Sequence, residues 1–193
     1  MKNIFIIGIA RSGKSTLSRL IKEKYPMYNQ FSFEAIRNGF IKTQPELNMN
    51  NRNSEARKNI LPAHIVEFVH WNNEILKNPS LIEGDFCSCE ALYSLMNEND
   101  KLICLGLGCR SLDEIVLGIK EHDTTDDYTY EWDEERIKQH FNSSIERDKE
   151  NYEFCIENNI KYYDTFENRS KIFESIIQNI KDENSKNKIN KRS

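Results

Sequence analysis

The chain has 193 residues, of which 38% are hydrophobic and 30% are charged, and its formal net charge at pH 7 is −4. This length is enough for one domain with a substantial core but short for two domains. The acidic balance argues against a protein that coats nucleic acid, and no apolar run approaches the roughly 20 residues that span a bilayer.

Short apolar runs alternate with amphipathic stretches along the chain. The first run, KNIFII at 2–7, predicts a strand buried on both faces, and residues 14–25 place Leu17, Leu20 and Ile21 at helical spacing. Because no small-residue cleavage site follows the first run, we interpret it as a strand and not as a signal peptide. Further strands are predicted at 29–33, 80–83, 101–107 and 160–163. A second helix is predicted to begin at residue 34, and further helices are predicted at 55–77, 88–97, 111–121, 134–159 and 168–181.

This alternation predicts an α/β fold in which a doubly wound, five-stranded parallel sheet carries helices on both faces. We expect residues 1–180 to form a single domain and the polar residues 181–193 to form a frayed tail. The helix at 111–121 opens with Ser111 and has Glu114 three residues later, which is a capping-box signature. Ligands of such sheets bind at the carboxyl ends of the strands, so the residues that follow each strand are candidate site residues.

The cysteine pattern predicts reduced thiols in a cytoplasmic protein, because the number is odd and no secretory signal is present. Cys87 and Cys89 are too close in sequence for a zinc knuckle, and no second pair follows at zinc spacing. We therefore interpret the cysteines as buried small hydrophobes and assign no metal site made of protein ligands. The five are Cys87, Cys89, Cys104, Cys109 and Cys155.

One motif points to a function. Residues 8–15, GIARSGKS, match the pattern G-x-x-x-x-G-K-[ST] and join the first predicted strand to the first predicted helix. Such a loop turns its backbone N–H groups toward a phosphate, and the following helix points its positive end at the same group. Lys14 then reaches the β- and γ-phosphates, and Ser15 binds Mg²⁺, so ATP and Mg²⁺ are the expected cofactors. The predicted phosphate-binding residues are Gly8, Ile9, Ala10, Arg11, Ser12, Gly13, Lys14, Ser15 and Thr16.

The sequence has neither the guanine motif of GTPases nor the signature of ABC ATPases. The motif at 8–15, called a P-loop, begins at residue 8 of a short chain. In these respects it resembles the small P-loop kinases, the group of adenylate, cytidylate and shikimate kinases. The resemblance implies a P-loop NTPase fold with strand order 2-3-1-4-5 and a small lid at about 123–150. It also implies ATP-dependent transfer of phosphate to a nucleotide or another small metabolite.

Three further segments are similar to these kinases. FSFEAIRNGF places Glu34 and Arg37 where the family has an acid and an arginine that face the phosphate acceptor. LIEGDF places Glu83 and Asp85 at the end of the third strand, which implies that one of them serves Mg²⁺. IKYYDTF resembles the final strand, whose following loop packs near the base. The alternative interpretations are a helix-start acid for Glu34, a surface side chain for Arg37, turn residues for Glu83 and Asp85, and a helix cap for Asp164 and Thr165.

The acidic, aromatic segment 123–135, DTTDDYTYEWDEE, and the helix behind it stand where these kinases have their lid. We expect this lid to be open and mobile without ligand, and to supply Arg147 as a catalytic arginine, with Arg136 and Arg110 as further candidates. The lid is more acidic than is typical of nucleotide kinases. The acceptor is therefore expected to be less anionic than a nucleoside monophosphate.

Two other functions remain open. One is a P-loop ATPase or nucleotide-sensing protein with a protein partner, and the other is a kinase of polynucleotide 5′-hydroxyl groups. The acidic body of the chain disfavours the second, because contact with a phosphate backbone needs Lys and Arg in a groove. We expect the partner to be a small-molecule phosphate acceptor, and neither a membrane nor a nucleic acid.

Overall fold

Five parallel strands form the centre of the fold, in a computed structural model that describes residues 1–85, 87–125 and 127–190 and the side chains up to residue 185. Their order is β2-β3-β1-β4-β5, as the resemblance implied, and every adjacent pair is parallel. β1 is the central strand, and all of its residues are buried, which explains its unbroken apolar run. The strands are β1 (Asn3–Gly8), β2 (Asn29–Ser32), β3 (Ser80–Gly84), β4 (Asp100–Gly106) and β5 (Tyr162–Asp164).

Helices cover both faces of this sheet. On one face α1 and α7 pack against alternate residues of β1, Ile4 and Ile6. On the other face α2, α3, α4 and α6 pack around Phe5 and Ile7. The helices are α1 (Lys14–Lys24), α2 (Phe33–Thr43), α3 (Leu61–Leu76), α4 (Cys89–Tyr93), α5 (Leu112–His122), α6 (Glu134–Glu157) and α7 (Arg169–Asn190). None of the helices in the described part of the chain is long and apolar enough to cross a membrane.

The predicted helix starts are largely confirmed. The Ser111 side chain accepts a hydrogen bond from the Glu114 backbone and the Glu114 carboxylate accepts one from the Ser111 backbone, so the capping box at α5 is present. Ser32 caps α2 in the same region where a helix is predicted from residue 34. A π-helical turn at Ala56–Ile60 precedes α3, and Pro62 stands in the first turn of α3, where its missing N–H is tolerated.

Three predicted boundaries are wrong. The helix predicted at 88–97 already ends at Tyr93. β5 begins at Tyr162 because Asn159 has a left-handed φ of 55° and the Ile160 N–H bonds back to the Cys155 carbonyl, which closes α6. α7 continues to Asn190, so the described part of the segment expected to be a frayed tail is helical. Ile180 is buried against the sheet, and Glu183 pairs with Lys101 of β4. These contacts hold the helix beyond residue 181, and each further residue adds one backbone hydrogen bond. Phe86, Asp126 and residues 191–193 lie outside the described residues.

Candidate functional site

The P-loop segment 8–15 lies at the carboxyl end of the central strand, and close neighbours require glycine at both ends of it. Gly13 has a left-handed φ of 82°, and a Cβ there would come within 2.7 Å of the Phe173 ring. A Cβ on Gly8 would lie 2.0 Å from the Leu105 carbonyl oxygen of β4. Ile9 and Ser12 are buried beneath the loop, whereas Ala10, Arg11, Gly13, Lys14, Ser15 and Thr16 line a cavity of about 880 Å³.

Two residues that follow β5 hold this loop in place. The buried Thr165 hydroxyl lies 2.9 Å from the carbonyl oxygens of both Ser12 and Gly106. Arg169 donates one hydrogen bond of 2.9 Å to the Arg11 carbonyl and another of 3.2 Å to the Thr165 carbonyl. α7 begins at Arg169, so Thr165 ties β5 to the P-loop and is not a cap of that helix.

The Lys14 side chain is half-buried, and its amine lies near three carboxylates. Its Nζ donates a hydrogen bond of 2.7 Å to the Ile9 carbonyl of the same loop. Burial lowers the pKa of this amine, and the charges of Asp85, Glu83 and Glu34 oppose that lowering. All three acids line the same cavity as Lys14. The structure thus brings together candidate residues from three separate segments of the sequence.

Glu83 and Asp85 lie at the end of β3, and their side chains have different environments. Glu83 is aligned with Ile6 of β1 and Ser32 of β2, and burial raises the pKa of its carboxyl group. The Asp85 carboxylate lies 3.7 Å from an Arg147 nitrogen, and the other Arg147 terminal nitrogen donates a hydrogen bond of 2.8 Å to the Asp85 carbonyl. Arg147 therefore contacts the cavity wall through Asp85.

The acceptor candidates Glu34 and Arg37 lie on the first turns of α2 and line the cavity. The Glu34 N–H donates to the Ser32 hydroxyl, so Glu34 is also a helix-start acid, and its side chain is exposed to the cavity. Glu34 can both stabilise the start of α2 and face the phosphate acceptor, because the start of the helix places its side chain at the cavity.

Two further arginines, which no sequence pattern marks, lie near Arg37. Arg52 lines the cavity from the segment before α3. Arg57 is buried and donates a hydrogen bond of 3.3 Å to the Met49 carbonyl. Burial and the nearby charges of Arg37 and Arg52 lower the pKa of Arg57 to about 10, which indicates three guanidinium groups close to one another.

The other predicted lid arginines are engaged elsewhere. The Arg136 guanidinium stacks on the Trp132 ring at 4.3 Å. Arg110 lies 3.6 Å from Asp164 and 3.7 Å from Glu167, and it stacks on Phe166. Two of the three candidates contact residues that line the cavity, because Arg147 contacts Asp85 and Arg110 stacks on Phe166.

The lid segment contacts the P-loop through Arg11, whose guanidinium pairs with Asp123 and Asp127. This pairing holds the pKa of Asp127 at about 2. Tyr128 and His140 line the cavity beside Asp127. Arg11 therefore offsets part of the negative charge of this segment.

A second cavity, of about 480 Å³, adjoins the first between α5 and the segment that follows β5. The two cavities share Gly118, His122, Phe166 and Asn168. The loop after the final strand therefore lines the site, at the place where the sequence resemblance set the nucleotide base.

Asp148 of α6 organises the loop after β4. Its buried carboxylate accepts hydrogen bonds from the Leu107 N–H at 3.0 Å and the Cys109 N–H at 3.2 Å. It also accepts a bond of 2.8 Å from the Tyr162 hydroxyl, which in turn accepts the Gly108 N–H. No local sequence pattern marks this residue, because all its partners come from other elements.

Comparisons with known proteins agree with this fold. No family model matches the chain, and no curated protein matches it. Among solved structures, the crystal structure of shikimate kinase from Bacteroides thetaiotaomicron is similar, with a TM-score of 0.52 and 16% sequence identity. The match covers 94% of this chain and 97% of that one. At this identity the likeness shows the fold alone.

Proposed function

We propose that the chain is an ATP-dependent phosphotransferase that passes the terminal phosphate of ATP to a hydroxyl group on a small anionic metabolite. One observation carries the proposal. A single cavity of about 880 Å³ joins the P-loop lysine to three carboxylates and to arginines from α2 and the segment before α3. Such a cavity has one end suited to a polyphosphate and another suited to an acceptor.

The nucleotide end is supported by the loop and by the adjoining cavity. Lys14 and the loop N–H groups would bind the β- and γ-phosphates, with the positive end of α1 behind them. The base would lie in the cavity of about 480 Å³, where Leu117 and Phe166 supply apolar surface and Asn168 supplies a polar group.

The donor set around Lys14 fits Mg²⁺, which prefers oxygen ligands and keeps several of its waters. Ser15, Glu83 and Asp85 line the cavity together and offer one hydroxyl and two carboxylates. Ser15 would hold the ion directly, with Glu83 or Asp85 holding it through water. Bound there, Mg²⁺ would neutralise charge on the transferred phosphate.

The acceptor end is supported by charge. Phosphoryl transfer asks the protein mainly for positioning and charge stabilisation. Glu34 would orient the acceptor hydroxyl and accept its proton, since its carboxylate is exposed to the cavity. An anionic group on the acceptor would be attracted by Arg37 and Arg52, which line the cavity. Arg147 would act through Asp85, which it holds by two contacts.

Transfer from γ-labelled ATP with Mg²⁺ to a panel of hydroxy acids and nucleotides tests the proposal. We expect label on an acceptor with wild-type protein, and a loss of about 100-fold or more in Glu34→Gln with unchanged ATP affinity. Glu67→Gln, an exposed glutamate of α3, is the matched control and should transfer normally.

Two outcomes would contradict the assignment. Normal transfer by Glu34→Gln with a lower melting temperature would make Glu34 a helix-start acid only. Steady ATP hydrolysis that no acceptor alters, but that a protein partner raises, would favour the ATPase or nucleotide-sensing alternative.

A further inference from the structure

Three cysteines from three separate elements meet inside the core. Cys89 is the first residue of α4, Cys104 lies within β4, and Cys155 lies near the end of α6. All three side chains are fully buried. Their Sγ atoms all lie within 4.8 Å of one another, and those of Cys89 and Cys104 are 3.1 Å apart.

The arrangement differs from ordinary packing of cysteine as a small hydrophobe. The surrounding side chains, including Leu92 and Ile160, are apolar, yet the three sulfur atoms are directed at one another.

We propose that Cys89, Cys104 and Cys155 form a binding site for one zinc-class metal ion, a soft divalent cation that prefers thiolate ligands. Sulfur binds Zn²⁺ at about 2.3 Å, which sets the sulfur atoms of a tetrahedral site about 3.8 Å apart. The Cys89 and Cys104 sulfur atoms are closer than this value, and no pair of the three is more than 4.8 Å apart, so the site needs side-chain shifts of about 1 Å to close on an ion.

Charge favours a divalent ion over a monovalent one. Each thiol that coordinates releases its proton to solvent, so binding depends on pH. Three thiolates around a divalent cation leave a net charge of −1, whereas a monovalent cation would leave −2 in the same apolar surroundings. Because buried net charge is costly, the divalent ion fits this core better.

Two of the three cysteines lie on segments of the chain that also meet at the wall of the cavity. Cys89 follows Asp85 on the connection from β3 to α4, and Cys155 follows Arg147 on α6. Arg147 and Asp85 already join these two elements at the cavity wall. A bound ion would join them at a second point in the core and would also attach both to β4. The inference does not depend on the proposed phosphotransfer.

Anaerobic titration of the reduced, full-length chain tests the site. Cd²⁺ is the probe, because its bonds to thiolate sulfur absorb in the ultraviolet, and Zn²⁺ should compete for the same site. We expect one ion per chain and a melting temperature that rises by about 5 °C or more at a hundredfold excess over Kd. Absence of the charge-transfer band in the wild-type chain would overturn the proposal without any variant.

Variants locate the site. Loss of a residue that only hydrogen-bonds to a metal ligand weakens metal binding by roughly 10–100-fold. Cys155→Ser removes a ligand itself and should weaken binding by more than this. The double variant Cys87→Ser/Cys109→Ser is the matched control, because neither residue belongs to the cluster, and it should bind like wild type. If Cys155→Ser does not fold, Cys89→Ala replaces it. Wild-type binding by a folded cluster variant, or loss of binding in the control, would overturn the assignment.

Discussion

Replacing Asp148 with alanine would remove the acceptor that holds the loop after β4. The carboxylate is 1% exposed and bonds the N–H groups of Leu107 and Cys109 together with the Tyr162 hydroxyl. Alanine leaves these three donors without their partner. Leu107 and Cys109 follow β4 at the carboxyl ends of the strands, where the P-loop also lies. The substitution would therefore disturb the structure beside the candidate site.

The expected cost follows from the number and burial of these donors. A buried polar group without a partner costs about 1–3 kcal/mol. Leu107 is buried, whereas Cys109 is exposed and water can replace its bond. We therefore expect Asp148→Ala to lower the free energy of unfolding by about 3–5 kcal/mol, a large part of the total of about 5–15 kcal/mol.

Urea unfolding at neutral pH measures this change. Tyr162→Phe removes one of the three bonds to Asp148 and also the bond from the Gly108 N–H to the Tyr162 hydroxyl, and it should cost about 1–3 kcal/mol. Glu150→Ala, an exposed residue on the same helix, is the control and should change stability by no more than about 0.5 kcal/mol. The double variant Asp148→Ala/Tyr162→Phe should cost less than the sum of the two single variants. A loss below about 1 kcal/mol for Asp148→Ala would refute the reasoning.

The remaining predictions concern the lid. Arg11 depresses the pKa of Asp127 to about 2, so the stability from this pair is present above the ordinary carboxyl range and is lost as pH falls toward about 2. The stability difference between wild type and Asp127→Asn should therefore shrink in unfolding experiments as pH is lowered from about 5 to about 3, and a constant difference would contradict the pairing. Hydrogen exchange of residues 127–135 should slow when Mg²⁺, an ATP analogue and an acceptor are bound, and equal exchange with and without these ligands would mean that the segment is not a lid.

The sequence pattern was sufficient to predict a feature when all of its residues lie in one continuous segment. The buried strand β1, the P-loop after it and the helix α1 are contiguous, so their order and glycines predict the candidate site without knowledge of the remaining fold. The capping box at Ser111 is equally local. The strand order came from the family resemblance, and the parallel sheet confirms it.

The sequence could not show what depends on contacts between distant segments. Arg57 lies near Arg37 and Arg52 only because Met49 and Ala56 pack into the core and fold a polar, aperiodic stretch against the candidate site. Thr165 has the appearance of a helix cap until β5 brings its hydroxyl to the Ser12 carbonyl, 153 positions earlier in the chain. The three core cysteines are likewise far apart in sequence, and their spacing gave no sign of a cluster.

Equilibrium binding of ATP with Mg²⁺, measured by calorimetry on wild type, Lys14→Ala and Lys24→Ala, tests most directly whether the cavity holds a nucleotide. A charge-assisted hydrogen bond is worth about 1.5–3 kcal/mol, so Lys14→Ala should weaken binding by at least about tenfold while the fold persists. Lys24 is an exposed lysine of the same helix, and its loss should leave the affinity unchanged. Equal affinity in wild type and Lys14→Ala would contradict the assignment of this loop as a phosphate-binding site.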